Sequence, residues 1–241
     1  MLVVAHTSDL HGRMPERLLR WLEEVRSKPG SLLLDSGDAV SAGNLGVRLR
    51  GERILRLMSE VGYDAMCVGN REFHPIPALF RHKVRDAAFP LLSANLKGGF
   101  SPTLPYIVRE VRGFGRVAVV GISVPMHGKL HPAAWLTGVY FDDPIRAAQE
   151  AVFEARSKAE VVILLTHVGL KVDMLLAAYA NPDLILGGHS HRVLDRPLRF
   201  GNTWIVHSGF HGRTASLVTV RRAEGGGLSV ESQLVRFDER G

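Results

Sequence analysis

Residues 2–13 read LVVAHTSDLHGR, a short apolar run that leads into an Asp, a His and a Gly. The run has the length and composition of one buried strand, and Asp9 and His11 fall just beyond its end. The arrangement recurs along the chain. SLLLDS (31–36) is followed by Asp38, AMCVG (65–69) by Asn70, VVILLT (161–166) by His167, and DLILGG (183–188) by His189 and His191. In sheets of parallel strands, ligands gather outside the carboxyl ends of the strands. Five segments can therefore deliver seven metal-binding side chains to one place. Taken singly, an Asp or Asn after a strand makes a turn or caps a helix, and a lone His is a satisfied polar residue. Recurrence at the same end of successive strands is what argues for a shared site.

Helical periods separate these strands. Residues 15–26 carry Leu18, Leu22 and Val25 on one stripe, and further helices are expected over 47–60 and 76–86, with PLLSA (90–94) as another strand. YIVREV (106–111) and RVAVVGI (116–122), joined by the turn RGFG, read as a hairpin. Residues 123–141 read as a long loop, and long loops in compact domains are often functional. In DDPIRAAQEAVFEARS (142–157), Asp143 supplies an N-cap, Pro144 suits the first turn, and Ile145, Ala148, Val152 and Ala155 share a face. A helix ended by Asn181-Pro182 follows the strand that reaches His167. The tail holds TWIVHS (203–208), ASLVTV (215–220) and LSVESQLVRF (228–237), with EGGG (224–227) as a turn. The chain is thus α/β early and antiparallel late. Two packed sheets with helices outside accommodate both halves.

The bulk properties narrow the setting. A chain of 241 residues suits one domain spanning 1–241. The single cysteine, Cys67, lies in an apolar run, so neither an internal disulfide nor a thiolate metal cage is expected, and the compartment is read as reducing and cytoplasmic. The amino terminus lacks a basic segment and its apolar run is short, which argues against a signal peptide or a membrane span. The net charge of +6 favours anionic ligands. Its arginines fall in scattered groups without interleaved aromatics, so a nucleic-acid groove is possible but not favoured.

With the strand ends in view, the sequence resembles the calcineurin-like metallophosphoesterases, and within them the branch of 5′-nucleotidases and 2′,3′-cyclic phosphodiesterases. The segments that carry the resemblance are HTSDLHGR (6–13), LLLDSGDAVSAG (32–43), GNREF (69–73), LLSANL (91–96), LLTHVG (164–169), LILGGHSH (184–191) and IVHSGFHGR (205–213). They run in family order over nearly the whole chain. The resemblance implies a four-layer α-β-β-α sandwich of two mixed sheets and a centre of two divalent transition-metal ions such as Mn²⁺, Zn²⁺ or Fe. Asp9, His11, Asp38 and His191 would hold one ion, and Asp38 would bridge to a second completed by Asn70, His167 and His189. Such a pair clamps phosphate oxygens and makes a bound water acidic enough to attack phosphorus as hydroxide. The expected substrate is a small anionic phosphomonoester or phosphodiester, nucleotides foremost. The alternatives are a metal- and phosphate-binding module with little turnover, and a nuclease.

Two departures from the family pattern bear on the chemistry. In GNREFH (69–74), Arg71 stands where the family has a His beside the phosphate, and His74 stands where it has an Asp. An arginine binds an oxyanion but cannot hand over a proton. Arg71 and His74 are therefore the candidate catalytic residues, and Asn70, Arg71 and Asn95 the candidate substrate contacts. Either His74 or water supplies the leaving-group proton, or the substrate needs none, or turnover is impaired. The second departure is length: the chain stops at Gly241, where larger relatives continue into a substrate-recognition domain, so the leaving-group pocket is expected from loops such as 123–141, with Trp135, or from a partner subunit. Smaller roles are assigned to His6, as a structural neighbour of the site, and to Asp35, as orienting the loop of Asp38. His207 and His211 line the site or cap turns, and His82, His127 and His131 read as ordinary polar residues.

Overall fold

The computed structural model describes residues 1–98, 102–223 and 226–237. In chain order it opens with β1 (Leu2–Thr7), α1 (Glu16–Arg26), β2 (Ser31–Asp35), α2 (Arg53–Val61), β3 (Ala65–Cys67), α3 (Pro77–Val84), β4 (Leu91–Leu92), β5 (Leu96–Lys97), β6 (Thr103–Leu104), β7 (Tyr106–Val111) and β8 (Gly115–Ser123). It continues with α4 (Pro132–Thr137), β9 (Tyr140–Phe141), α5 (Pro144–Arg156), β10 (Val161–His167), α6 (Leu170–Ala180), β11 (Leu184–Gly187), β12 (Leu198–Phe200), β13 (Thr203–His207), β14 (Thr214–Arg222) and β15 (Leu228–Arg236).

The strands form a seven-stranded sheet, β15-β14-β1-β2-β3-β4-β6, and a six-stranded sheet, β12-β13-β11-β10-β8-β7, with β5 and β9 paired apart. In the first sheet β1, β2, β3, β4 and β6 run parallel, and β14 and β15 are antiparallel additions. In the second, β8, β10, β11 and β13 run parallel between antiparallel edges β7 and β12.

Side-chain alternation explains the layering. Leu32 and Leu34 of β2 meet Val161, Ile163 and Leu165 of β10 in a core between the sheets. Leu33 points the other way, to a core with Leu18, Leu22, Leu55 and Met58 of α1 and α2. Val162 and Leu164 face a third core with Ala148, Val152, Leu176 and Ala177 of α5 and α6. The result is the four-layer α-β-β-α sandwich. Both faces of the central strands are covered, which is why those strands read as continuous apolar runs. Each fully buried Leu or Val there contributes about 2 kcal/mol.

Local signals place several helices as expected. Asp143 caps α5, its Oδ1 accepting from the Arg146 amide at 2.8 Å. Asn181 ends α6 in the left-handed conformation. Other segments differ from the sequence reading. The helix expected over 47–60 begins only at Arg53, because Gly51 turns left-handed and Asp86 Oδ2 accepts the Glu52 amide at 2.7 Å. Residues 123–141 are not a plain loop. His131 caps the short α4 by accepting from the Ala133 amide at 3.1 Å, and β9 pairs with β5. Of the expected EGGG turn, Glu224 and Gly225 lie outside the described residues. No helix among the described residues is long and apolar enough to cross a membrane.

Candidate metal centre

The parallel strands of both sheets point their carboxyl ends at one region. Asp9 and His11 follow β1, Asp38 follows β2 and Asn70 follows β3, while His167 is the last residue of β10 and His189 and His191 follow β11. Asp9 Oδ1 lies 3.3 Å from His191 Nε2 and 4.0 Å from His11 Nε2. Asp38 Oδ2 lies 3.6 Å from His11 Nε2, and its Oδ1 lies 3.4 Å from His167 Nε2. His167 Nε2 and His189 Nδ1 face each other at 3.3 Å. Atoms bound to one cation through bonds of about 2.0–2.2 Å sit roughly 3–4 Å apart. Two overlapping groups bring one donor atom from each residue within 4.8 Å of one another, Asp9 with His11 and His191, and Asp9 with Asp38 and His167. Asp9 thus approaches both groups, which the sequence reading had not assigned to it. Asp9 Oδ1, His11 Nε2 and Asn70 Oδ1 are also buried without a hydrogen-bond partner. Buried polar atoms left open in this way are rare in folded proteins. Open donors, the two carboxylates, the amide and the imidazoles together fit a pair of divalent cations.

The backbone beneath these residues is unusual. Asp9, His11, Asp38, His189 and His191 all have positive φ, between 48° and 72°. Such conformations persist only where the surroundings impose them. The Asp9 amide donates to Gly37 O and the His11 amide to Asp38 O, both at 2.9 Å, so the first two ligand loops brace each other. Glu72 is fully buried, and its carboxylate accepts from the amides of Asp38 (2.8 Å), Gly69 (2.9 Å) and Val40 (3.0 Å). Asp35 accepts from the Gly37 amide at 2.8 Å and from Thr7 Oγ1 at 2.6 Å, the orienting role expected of it. Gly37 has φ +95°, and a Cβ there would come within 2.7 Å of Cys67 O and the Gly69 nitrogen. From the second sheet, the His189 amide reaches Asp9 Oδ2 at 3.0 Å, and His167 Nδ1 donates to Ser36 O at 2.7 Å. The latter bond leaves His167 Nε2 facing the site.

Electrostatics keep Asp38 ionised at the centre. Burial alone would raise the Asp38 carboxyl. The close imidazoles of His11 and His167, and the His167 charge, outweigh burial and hold it below the usual range. Burial pulls the other way on His167, and Asp38 nevertheless raises it to about 9. Where a cation would sit, the carboxylate recruits a proton. Glu72 is raised, first by burial and then by the Asp38 charge. His211 lies at the rim with Nε2 3.0 Å from His11 Nδ1, and is pushed down to about 4 by burial and then by Arg13.

The remaining candidates are placed unequally. The Arg71 amide donates to Asp38 Oδ1 at 2.7 Å and its Nε lies 3.7 Å from Asp38 Oδ2, so Arg71 is at the centre. Asn70 turns Nδ2 to Asn44 Oδ1 at 3.0 Å, leaving Oδ1 open. His74 is not drawn in: it is buried, with Nδ1 accepting from the Ile76 amide at 3.0 Å. Asn95 is fully buried and holds β8, its Nδ2 on Ser123 O at 2.8 Å and its Oδ1 on the Ser123 amide at 2.9 Å. None of its side chain is exposed to solvent. His6 bridges Ser36 and Ser208 beneath the site, at 2.7 and 2.5 Å. His207 Nε2 donates to buried Asp173 at 2.7 Å. His127 Nε2 bonds Val139 O at 2.7 Å, and His82 Nε2 bonds Arg48 O at 3.1 Å. Sequence reasoning passed over Glu72, Asp173 and Lys83. Asp173 did leave a signal, an acid on the stripe that α6 buries with Leu176, Ala177 and Ala180.

Residues 2–193 match the family model of the calcineurin-like phosphoesterases. The 5′-nucleotidase of Vibrio parahaemolyticus is 33% identical over 223 residues, which cover 78% of this chain and 39% of that protein. The trifunctional nucleotide phosphoesterase protein YfkN of Bacillus subtilis is 29% identical over 237 residues, covering 81% of this chain and 16% of YfkN. The chain therefore spans less than half the length of these relatives. Among solved structures, the 5′-nucleotidase precursor from Thermus thermophilus superposes with a TM-score of 0.80 at 24% identity, over 98% of this chain and 54% of that one. A likeness at that identity speaks for the fold.

Proposed function

The chain belongs to the calcineurin-like phosphoesterase family, and on that premise we propose that it hydrolyses phosphomonoesters or phosphodiesters, nucleotides foremost, at a centre for two divalent transition-metal ions. The observation that carries this reading is the donor set, in which Asp9 Oδ1, His11 Nε2 and Asn70 Oδ1 are buried and unpartnered beside Asp38 and His191. When bound, the cations would supply Lewis-acid charge for the phosphate oxygens and a water acidic enough to act as nucleophile. Mn²⁺, Zn²⁺ and Fe suit these ligands, which include no thiolate.

The chain's own residues do the rest. Asp38 presents one oxygen to His11 and the other to His167, so its carboxylate, like that of Asp9, reaches both ligand groups. Asp9, held by the His189 amide, neutralises charge on the side of His11 and His191. His211 fixes His11 through Nδ1 and so leaves Nε2 for ligation. Arg71 stays protonated and holds negative charge that builds on the phosphoryl oxygens. It gives no proton, and His74 is committed to the Ile76 amide, so the departing oxygen takes its proton from water. We assign this activity to one catalytic unit over residues 1–241. A cytoplasmic setting accords with the free, buried thiol of Cys67.

The test is a substrate panel run with Mn²⁺, Zn²⁺, Co²⁺ and Ni²⁺ in turn. Aryl phosphates, aryl phosphodiesters and mononucleotides should turn over, and a chelator should abolish the activity. Two bound cations with no turnover of any ester would replace this reading with a binding module. Salt-sensitive DNA cleavage without mononucleotide turnover would replace it with a nuclease.

A further inference from the structure

Beside the His11–His191 half of the centre lie two arginines that the reaction described above does not use. The loop 209–213 is tied to the ligand loop through the His211 amide, which donates to Asp9 O at 2.8 Å. It also touches the first loop, since a Cβ on Gly212 would lie 3.0 Å from Arg13 O. Phe210 stacks on His191 with ring centroids 4.7 Å apart and an interplanar angle of 15°, and the Arg213 guanidinium lies 5.4 Å from the Phe210 centroid. Arg13 and Arg213 therefore flank the same edge of the site from two loops. Both are exposed, and no carboxylate of the described residues lies within ion-pair distance of either. Two unpaired guanidinium groups beside a centre that binds one phosphoryl group make a place for a second anion. The planar fork of an arginine matches phosphate oxygens in pairs.

We propose that Arg13 and Arg213 form a subsite for a second phosphoryl group of the substrate, so that the site prefers nucleoside diphosphates to monophosphates. The proposal rests on the phosphoester-hydrolase reading for its kinetic form. Phe210 stacks on His191 and also meets the Arg213 guanidinium, and the left-handed turn at Gly12 sets Arg13 two residues after His11.

Steady-state kinetics on adenosine diphosphate, adenosine monophosphate, adenosine 3′,5′-bisphosphate and 4-nitrophenyl phosphate test it, in the native protein and in Arg13→Ala/Arg213→Ala. The native KM should be lower for the diphosphate than for the monophosphate. The double variant should raise the diphosphate KM on the order of 10- to 100-fold, the loss of charge-assisted bonds, and at least tenfold more than it raises the KM for 4-nitrophenyl phosphate. The bisphosphate separates a phosphate in chain from one on the ribose, and an equal penalty on it would move the subsite to the ribose and overturn the diphosphate assignment. Equal KM increases for all four substrates, or none, would overturn the subsite. Calorimetric binding of inorganic pyrophosphate gives a reading without turnover: the double variant should bind it at least about tenfold more weakly. If no ester is hydrolysed but that difference in binding remains, the hydrolase reading fails and the subsite stands. If esters are hydrolysed and pyrophosphate binding is the same in both proteins, the subsite fails alone.

Discussion

The two sheets equip the candidate centre differently. The seven-stranded sheet contributes Asp9, Asp38 and Asn70 with one imidazole, His11, whereas the six-stranded sheet contributes imidazoles only, His167, His189 and His191. The supports differ in the same way. The loop after β2 is held by buried carboxylates that accept backbone amides, with Asp35 on Gly37, Glu72 on Asp38 and Val40, and Glu52 on Ser41 and Ala42. His167 needs only the end of its own strand and one bond to Ser36 O. Two acids brought together repel, so the acidic side has to be built on backbone that cannot move away. Imidazoles set beside a carboxylate meet no such repulsion from it and can be set out from strand ends. His189 and His191 fall between these cases, with positive φ but a tether to Asp9 through the His189 amide.

If one acid serves both halves, Asp38→Asn is the largest single loss. Both cation affinities should fall together and kcat/KM by at least roughly 10³-fold, more than the loss of one oxyanion donor. His189→Ala should weaken one cation equivalent only. A calorimetric metal titration in which Asp38→Asn loses a single equivalent would break the asymmetry between the sheets. Arg71, the cation set among the acids, comes next. Arg71→Ala should slow every ester by about 10²-fold, or about 3 kcal/mol. In the native protein kcat/KM should fall steeply as the leaving-group pKa rises across a series of aryl phosphates, and Arg71→His should flatten that slope. A flat native slope contradicts a non-donating Arg71.

Glu72→Gln tests the clamps themselves. It keeps the shape but removes the charge that three amides point at, and should weaken metal binding about 10- to 100-fold. Asp173→Asn, beneath the second sheet's loop with Thr166 and His207, should cost less. Equal losses would mean that the sheets are braced alike. His6 joins the sheets under the site and sets an acid limit. Burial, and then His207, pushes it down to about 3 in the folded chain, against about 6.5 when unfolded. The unfolded chain therefore takes up the proton first. Stability from this group is complete above about pH 6.5 and declines toward pH 3, by at most about 1.4 kcal/mol per unit. Urea titrations at pH 7, 6 and 5 with chelator present should show a shallower decline for His6→Gln.

Much of this was legible in the chain because it depends on periodicity. Leu18, Leu22 and Val25 gave α1, and runs such as VVILLT gave strands covered on both faces, with the seven donors at their ends. What stayed hidden depends on contacts between distant segments. Glu72 sits 34 residues from Asp38 and no spacing rule joins them. Strands β5, β6, β9 and β12, of two or three residues, are too short to show a period. α4 lies inside an expected loop, capped by His131 and followed by β9, whose Phe141 packs on Phe73 with centroids 4.9 Å apart. The roles expected of Asn95 and His74 rest on their place beside motif residues, and the bonds of each side chain to backbone could not be read from that place.

His74 gives the smallest expected effect, and it decides whether the chemistry belongs to the strand-end residues alone. Its ring is buried, Nδ1 accepts the Ile76 amide, and after burial the influence that lowers its pKa is the charge of Lys83, not a candidate ligand. Lys83 is itself nearly fully buried and donates to the carbonyls of Gly43 (2.7 Å) and Asn44 (3.0 Å). A ring held neutral in that position has no proton to give near neutral pH. His74→Ala should therefore change kcat/KM by less than about twofold for good and poor leaving groups alike. Its cost should appear in stability, about 1 kcal/mol or a little more for an amide that loses its partner. The aryl phosphate series measures the first expectation and a thermal melt the second. If His74→Ala slows poor leaving groups tenfold while leaving good ones fast, His74 is the acid after all, and proton delivery comes from α3's approach rather than from water.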